Sequence, residues 1–293
     1  MRFLSFEVNG KSSWGVALKD GVIDLGARQG SNLQSVIETA RLPEMQEVAS
    51  TLSADYALAD ISYLPPIAKP EKIACIGVNY ANRNAEYKDG SEAPKFPSVF
   101  MRSPDSLTAH EQPLWRPPES MQLDYEGEIV IVIGKAGRRI PEDQAFAHIA
   151  GLSVANEGTL RDWVRHAKFN VTQGKNFVNS GSIGPWMVTA DEFTAEGLTD
   201  MRVSTHVNGE LRQDDTTANM MFPIAYIISY LSTFYVLKPG DVILDPMMGG
   251  GSAMVGAIEL GRRAIGIEKN PRWFDVAVQR VTAAVAASQA GAQ

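Results

Sequence analysis

The most constraining feature of the sequence is the segment MQLDYEGEIVIVIGK at residues 121–135, an apolar run preceded by acidic residues. Its four consecutive β-branched residues, VIVI at 130–133, predict a β-strand. Because side chains alternate between the two faces of a strand, we expect Asp124, Glu126 and Glu128 on one face. The same face continues into the apolar run, so the acids would lie at the entrance to a buried core.

Two neighbouring carboxylates at the edge of a core predict either a cation site or a solvated strand end. Glu126 and Glu128 would repel each other, and burying them unpaired would cost several kcal/mol. A divalent cation would remove this cost, and carboxylate oxygens in this number suit Mg²⁺, Mn²⁺ or Ca²⁺ rather than zinc. The spacing alone leaves both interpretations open, since Glu-x-Glu is a common pattern.

The composition is typical of a soluble globular protein with one large domain and smaller pieces, at 293 residues, 44% hydrophobic and 21% charged. The net charge of −7 and the absence of Lys/Arg runs argue against a nucleic-acid partner. Cys75 is the only cysteine, which excludes disulfides and thiolate metal clusters within the chain. Neither a signal-peptide core nor an apolar segment of bilayer length is evident, so we expect a cytoplasmic protein with no membrane partner.

A proline-rich connector at 63–72 separates an N-terminal part from the main body. Residues 1–65 predict a small β-rich domain, with two alternating segments and a hairpin turn at Lys19-Asp20-Gly21. Helical spacing follows over 32–52.

Polar residues follow the first predicted strand of the main body. The strand at 73–78 runs into a loop that carries Tyr80, Arg83 and Glu86. Polar side chains at the end of a buried strand are often catalytic, and the alternative is an ordinary capped helix start.

A third carboxylate, Glu157, ends another predicted strand. A short helix is predicted over 159–168, which would place Arg161 one helical turn beyond Glu157. Lys175 begins a loop rich in Gly, Ser and Asn. The preceding glycine does not make this a Walker motif, because the upstream glycine and the following Ser/Thr are absent.

Six segments, in order from Lys72 to Ile243, resemble the fumarylacetoacetate hydrolase family. They are GVNYANRNAEYKDG, LDYEGEIVIVIGK, NEGTLRDW, GKNF with GPWMVTADE, VNGELRQDDTTANMMF and LKPGDVI. The resemblance implies an α+β, mainly β fold, a β-roll of the family type in which a catalytic domain at 70–243 follows the small N-terminal domain. It also implies a homodimer that binds Mg²⁺ and acts on small 2-oxo acids or acylpyruvates, as in aromatic catabolism.

The resemblance assigns roles to individual residues. Glu126, Glu128 and Glu157 match the metal carboxylates of the family, the third of which is usually an aspartate. Lys175 matches the lysine that contacts substrate, and Arg161 matches an arginine of the same region that would bind substrate.

The predicted acid–base pair departs from the family pattern at one of its two positions. Glu86 matches the family glutamate, whereas Arg83 stands where its histidine partner is expected. Arg83 cannot act as a base in its charged form, so it would pair with Glu86 or hold a substrate carboxylate. Pairing would lower the pKa of Glu86, which leaves the general base open. Tyr80 of the same loop is assigned to substrate binding.

The last fifty residues depart further from the family pattern. After LKPGDVI, residues 244–293 resemble the S-adenosylmethionine-binding motif of DNA methyltransferases, a β-α-β segment that is atypical for the family. Its cofactor-binding residues would be Asp245, Gly249, Gly251 and Glu268. The catalytic motif of those enzymes is absent, and a glycine-rich turn without ligand is favoured over S-adenosylmethionine binding.

Two functions are predicted. The first is a Mg²⁺-dependent hydrolase or lyase, with Mn²⁺ or Ca²⁺ as alternatives, that cleaves a carbon–carbon bond in a small 2-oxo acid or acylpyruvate. Decarboxylase, hydratase and isomerase activities are alternatives within the same chemistry. The second is a non-catalytic or chimeric protein with a partial S-adenosylmethionine-binding module.

Overall fold

The computed structural model describes residues 1–80, 94–167 and 170–246. The β-strands in these ranges are β1 (Arg2–Val8), β2 (Lys11–Ala17), β3 (Gly21–Asp24), β4 (Tyr56–Ala57), β5 (Ser62–Leu64), β6 (Ile73–Ile76), β7 (Val99–Arg102), β8 (Leu107–Ala109), β9 (Leu123–Asp124), β10 (Gly127–Ile133), β11 (Ile149–Asn156), β12 (Thr159–Leu160), β13 (Gly181–Ile183), β14 (Met187–Thr189), β15 (Arg202–Val207), β16 (Glu210–Thr216) and β17 (Val242–Pro246). The α-helices are α1 (Gly26–Gln29), α2 (Leu33–Glu38), α3 (Leu42–Ser50), α4 (Thr172–Lys175) and α5 (Ile224–Phe234). Short 3₁₀ helices occur at Leu58–Asp60, Pro104–Ser106, Glu142–His148, Trp163–Arg165, Ala190–Glu192, Gly197–Asp200 and Thr217–Asn219.

Most of these strands belong to one mixed sheet, with β10 and β17 among its inner strands. The strand order is β4-β3-β2-β1-β14-β11-β10-β17-β6-β7, with β5 paired to β1 and β13 paired to both β11 and β8. Two pairs, β6–β17 and β8–β13, are parallel and the other pairs are antiparallel. Two antiparallel pairs, β9–β12 and β15–β16, lie outside this sheet. The mainly β fold expected from the sequence is confirmed.

Strand β10 is an inner strand because both of its faces are apolar. Val130 and Val132 belong to one buried cluster, and Ile131 belongs to a second cluster. The predicted strand is confirmed, and it begins at Gly127. Glu128 shares the face of Val130 and Val132, as the alternation predicts, and it stands at the entrance end of that face.

The N-terminal strands and the hairpin turn are confirmed, but the predicted helix is not. Leu18 N–H donates to the carbonyl of Gly21 at 2.8 Å and closes the turn between β2 and β3. The continuous helix expected over 32–52 is wrong, because α2 and α3 are separate. Ala40 adopts a positive φ of 55°, which ends α2, and Pro43 lies in the first turn of α3, where its missing N–H is tolerated.

The helix predicted over 159–168 is also wrong. Within its described part, 159–167, Thr159 and Leu160 form β12, which pairs with β9, and a 3₁₀ turn follows at Trp163–Arg165. Arg161 N–H donates to the carbonyl of Gln122 at 3.0 Å. This cross-strand pairing outweighs the local helical spacing, and it brings Arg161 to the acidic entrance of β10.

Strand β17 spans Ile243, after which the sequence predicts a methyltransferase-like segment, and it is part of the main sheet. It is antiparallel to β10 on one side and parallel to β6 on the other. The main sheet therefore hosts this strand on both of its edges. Gly249, Gly251 and Glu268 lie outside the described residues. None of the helices in the described ranges combines the length and apolarity that a bilayer crossing requires.

Candidate metal centre

Three glutamates converge where β10 begins and β11 ends. Glu126 precedes β10, Glu128 is its second residue, and Glu157 directly follows β11. One carboxylate oxygen of each lies within 4.8 Å of the other two. The three residues are 4%, 1% and 0% exposed, so they are enclosed by protein. The structure thus brings together the acids that the sequence placed in two separate segments.

The antiparallel pairing of β10 and β11 explains this convergence. In such a pair the start of one strand lies beside the end of the other, and here Gly127 is opposite Asn156. Glu157 N–H donates to the carbonyl of Glu126 at 2.7 Å. The side-chain oxygen of Asn156 accepts the N–H of Glu126 at 3.0 Å. Asn156 was not predicted from the sequence, where it appears only as the polar residue before Glu157.

Two cations contact these acids. Lys175, the last residue of α4, is buried, and its Nζ donates to Glu126 Oε2 and to Glu157 Oε2, the latter at 2.5 Å. Arg161 Nη1 lies 2.6 Å from Glu126 Oε1, and its Nε donates to Asp124 Oδ2 at 2.8 Å. Burial lowers the pKa of Lys175, but its carboxylate partners outweigh this effect, so the pKa is raised and the ammonium stays charged.

The remaining oxygens of the cluster fit a divalent ion. Both carboxylate oxygens of Glu128 and Oε1 of Glu157 are buried without a hydrogen-bond partner among the described residues. Burial raises the pKa of Glu128 well above its usual range, and the charge of Glu157 raises it further. Buried, unsatisfied carboxylate oxygens are costly, and they are the hard donors that Mg²⁺, Mn²⁺ and Ca²⁺ prefer. The residues present therefore suit such an ion.

A third cation, Arg102, completes the surroundings of Glu157, and sequence reasoning missed it. Its side chain is buried, and Nη1 lies 3.8 Å from Glu157 Oε1. Nε donates to Ser106 Oγ and Nη2 to Ser180 Oγ, both at 3.0 Å, which fixes the guanidinium. The sequence signal for this buried cation was an arginine at the end of the otherwise apolar run VFMR of β7.

The charges of this cluster are close to balance. Within the described residues it comprises four carboxylates and three cations: Asp124, Glu126, Glu128, Glu157, Arg102, Arg161 and Lys175. With every group ionised, one unit of negative charge remains. A divalent ion would turn this into one unit of positive charge, so a loaded site would attract an anion.

The other predicted residues of the site lie elsewhere or outside the described ranges. Tyr80 is buried in the same core cluster as Ile131, and burial raises the pKa of its hydroxyl, with a further contribution from Asp245. Its predicted contact with substrate stays a prediction. Arg83 and Glu86 lie outside the described residues.

Asp245, which the sequence assigned to a cofactor, is buried within β17. Its Oδ1 accepts from Asn79 Nδ2 at 2.8 Å, while Asn79 Oδ1 accepts the N–H of Phe222 at 2.7 Å. Burial raises the pKa of Asp245 well above its usual range. Asn79 therefore connects β17 to the segment that precedes α5.

Comparison with known proteins gives one family and several relatives. The family model described as fumarylacetoacetate (FAA) hydrolase C-terminal matches residues 72–262. An oxaloacetate tautomerase, fahd2, mitochondrial, of Xenopus laevis is 34% identical over 256 residues, which are 83% of this chain and 78% of the relative. A 4-hydroxyphenylacetate degradation bifunctional isomerase/decarboxylase of Salmonella dublin is 36% identical over 190 residues, 65% of this chain and 43% of the relative.

A solved structure shares the fold. Maleylpyruvate hydrolase from Sphingobium sp. SYK-6, solved in complex with manganese(II) ion and pyruvate, aligns with a TM-score of 0.70. The alignment covers 85% of this chain and 89% of that chain at 23% sequence identity. The match of the family model continues past Ile243, to residue 262.

Proposed function

This chain belongs to the fumarylacetoacetate hydrolase family, and we propose that it is a divalent-metal-dependent enzyme that cleaves a carbon–carbon bond in a small 2-oxo acid or acylpyruvate. The observation that carries the proposal is the meeting of three buried glutamates, with oxygens within 4.8 Å of one another, beside two cationic side chains. Mg²⁺ is the proposed ion, and Mn²⁺ and Ca²⁺ fit the same donors.

Glu126, Glu128 and Glu157 would hold the ion. When bound, a divalent ion supplies Lewis-acid polarisation of a carbonyl and stabilises negative charge on its oxygen. Glu128 brings two carboxylate oxygens that have no other partner among the described residues. Arg161 holds Oε1 of Glu126 and Lys175 holds its Oε2, so this carboxylate is fixed in place beside the other two glutamates.

Lys175 and Arg161 would bind and orient the anionic substrate. An ammonium has three donors, and Lys175 uses two of them on Glu126 and Glu157 among the described residues. The third N–H is suited to an oxygen that gains charge during the reaction. Arg161 is 25% exposed on its side chain and lies at the rim of the cluster, where its guanidinium can meet a carboxylate.

The proton transfer is assigned to Glu86, as the family resemblance implies. Removal of a general base typically lowers the rate by about 10²–10⁴-fold. Glu86→Gln should therefore lower kcat by this order while Mn²⁺ still binds. An unchanged kcat would transfer the role of base to another residue.

Tautomerisation of a 2-oxo acid is a second candidate, supported by the relative in Xenopus laevis, which is named an oxaloacetate tautomerase. It needs the same ion site and the same cations, but it moves a proton next to the carbonyl without breaking the carbon–carbon bond. The two activities are separable, because only bond cleavage changes the number of product molecules.

The test is an activity assay on the metal-stripped protein after addition of Mg²⁺ or Mn²⁺. Loss of acylpyruvate absorbance reports cleavage, and decay of enol absorbance of oxaloacetate reports tautomerisation. We expect activity to depend on the ion and to fall by at least about 10²-fold in Glu128→Gln, since Lewis-acid stabilisation is worth several kcal/mol. The matched control Glu119→Gln changes an exposed glutamate and should stay within about twofold of the parent. Full activity in EDTA, or in Glu128→Gln, would overturn the proposal.

A further inference from the structure

The hairpin of β15 and β16 contacts Gly127, the first residue of β10, which lies between two of the glutamates. Thr205 and Gln213 are opposite each other in this hairpin, so their side chains share one face. That face lies against Gly127, where an added Cβ would be 2.0 Å from Thr205 Oγ1 and 3.1 Å from Gln213 Oε1. The absence of a side chain at Gly127 is therefore what lets the hairpin approach this closely.

Gln213 makes a specific contact at this point. Its Oε1 accepts the backbone N–H of Gly127 at 2.8 Å, and the residue is only 5% exposed. On the adjacent residue, the N–H of Glu126 is held by Asn156 Oδ1 at 3.0 Å. Two consecutive backbone N–H groups are thus held by side-chain amides from two different elements, one of which lies outside the main sheet.

This contact bears on the direction of both carboxylates. Gly127 is the only residue between Glu126 and Glu128, and glycine has more backbone freedom than any other residue. A rotation of the peptide at Gly127 would turn the two carboxylates relative to each other. Mg²⁺ demands near-ideal octahedral geometry, so such a rotation would weaken binding.

We propose that Gln213 is a positioning residue for the metal centre: it holds the segment Glu126–Gly127–Glu128, at the start of β10, so that both carboxylates face one ion. The inference rests on the proposed function, because it requires that these glutamates bind a metal. Residues that support metal ligands from behind typically change metal affinity by about 10–100-fold when they are replaced. The hairpin β15–β16 then supports the ligands of the ion site without supplying a ligand itself.

The neighbouring residue offers a matched control. Asp214 follows Gln213 on the same strand, and its carboxylate pairs with Arg202 at 2.6 Å on the exposed face of the hairpin. Asp214→Asn therefore alters a polar contact of the same hairpin without removing the contact to Gly127.

The experiment measures the Mn²⁺ dissociation constant of the full-length chain by electron paramagnetic resonance, with Tm in EDTA as a check on folding. In Gln213→Met, which keeps the length of the side chain but removes its acceptor, we expect the Kd to rise about 10–100-fold. Gln213→Asn, which withdraws the acceptor by one methylene, should weaken binding in the same direction and serves if the Met variant does not fold. Gln213→Glu retains an acceptor oxygen and should bind within about threefold of the parent or more tightly, as should Asp214→Asn.

The outcomes distinguish the two proposals. If the parent binds Mn²⁺ and both Gln213→Met and Gln213→Asn bind it within about threefold, the positioning role is overturned and the proposed function stands. If the parent does not bind Mn²⁺, the proposed function falls, and the positioning role falls with it. Equal weakening in Asp214→Asn would also overturn the inference, since the effect would then belong to the hairpin rather than to Gln213.

Discussion

The buried carboxylate of Glu128 predicts that the replacement Glu128→Gln has opposite effects on stability with and without a divalent ion. Neither carboxylate oxygen has a hydrogen-bond partner among the described residues, and the side chain is buried. Without an ion, ionising this group is unfavourable, and a neutral amide of the same shape avoids that cost. With an ion, the amide lacks the charge and the second strong donor that the carboxylate supplies.

The sign of the pH dependence follows from the raised pKa. Burial and the charge of Glu157 place the pKa of Glu128 in the folded protein above its unfolded value. Such a group contributes stability below the unfolded pKa, and this stability is lost as the pH rises toward the folded pKa. At pH 8 the buried carboxylate costs about 1–3 kcal/mol more than a neutral amide in the same place, because the penalty for burying an unsatisfied group is larger when the group is charged. The Gln variant should therefore unfold about 2–12 °C higher than the parent in EDTA.

When Mn²⁺ is present, the parent should be more stable than the Gln variant. An ion at 100 times its Kd stabilises the folded parent by about 2.7 kcal/mol, whereas the variant, with one ligand impaired, gains little. Thermal unfolding at pH 5 and pH 8, each with EDTA or with Mn²⁺, measures all four conditions, and Glu119→Gln is the exposed control. If the Gln variant is less stable than the parent in EDTA at pH 8, or is stabilised equally by Mn²⁺, the reasoning is refuted.

Three further replacements test other contacts. Lys175→Met leaves two buried carboxylates without their shared cation, so the free energy of unfolding, measured with urea in EDTA, should fall by about 3–5 kcal/mol. A fall below about 1 kcal/mol would contradict the buried ion pairs. Gly127→Ala should lower both stability and Mn²⁺ affinity, and calorimetric titration should show partial recovery when Thr205→Ala removes the hydroxyl that clashes with it. Hydrogen bonds from Lys238 and a second lysine lower the pKa of Glu71 to about 2. In Lys238→Met the pKa of Glu71, measured by NMR titration, should therefore rise. An unchanged pKa would exclude the Lys238–Glu71 ion pair.

The central strand was predictable because its pattern is local. The β-branched run at 130–133 fixes the element, and alternation places Glu128 on the face of Val130. The hairpin turn before β3 was predictable for the same reason, since its residues lie next to one another in the chain. Local patterns of this kind need no knowledge of which strands pair.

The composition of the cluster was less predictable, because it depends on pairing between distant segments. The resemblance to the family, rather than the spacing, brought Glu157 and Lys175 to the acids of β10. The contact of Arg102 with Glu157 depends on the strand order β6-β7 beside β17, which no local pattern reveals. The contact of the Gln213 amide with Gly127 was likewise not predictable, because the sequence does not indicate where the hairpin β15–β16 packs.

The wrong helix over 159–168 shows how tertiary pairing overrides a local pattern. The segment TLRDWVRHAK has helical spacing, but the pairing of Thr159 and Leu160 with β9 supplies backbone hydrogen bonds that a helix would compete for. The position of Arg161 beside Asp124 follows from this pairing.

Several expectations stay predictions. They are the domain boundaries near 65–70 and 243, the homodimer, the cytoplasmic location and the role of the last fifty residues. S-adenosylmethionine binding, which we do not expect, has a direct check: a chain that bound this ligand would show a higher Tm in its presence, and Asp245→Ala would abolish the shift. An absence of any shift in the parent would leave the metal-dependent enzyme as the account of this chain.

The most direct test of the ion site is a crystal of the protein grown with Mn²⁺, with anomalous diffraction measured at an energy where manganese scatters strongly. We predict one anomalous peak per chain within about 2–2.5 Å of a carboxylate oxygen of each of Glu126, Glu128 and Glu157. Lys175 should then have moved from at least one of its two carboxylate partners. No peak among these three glutamates at saturating Mn²⁺ would contradict the claim that they bind a metal.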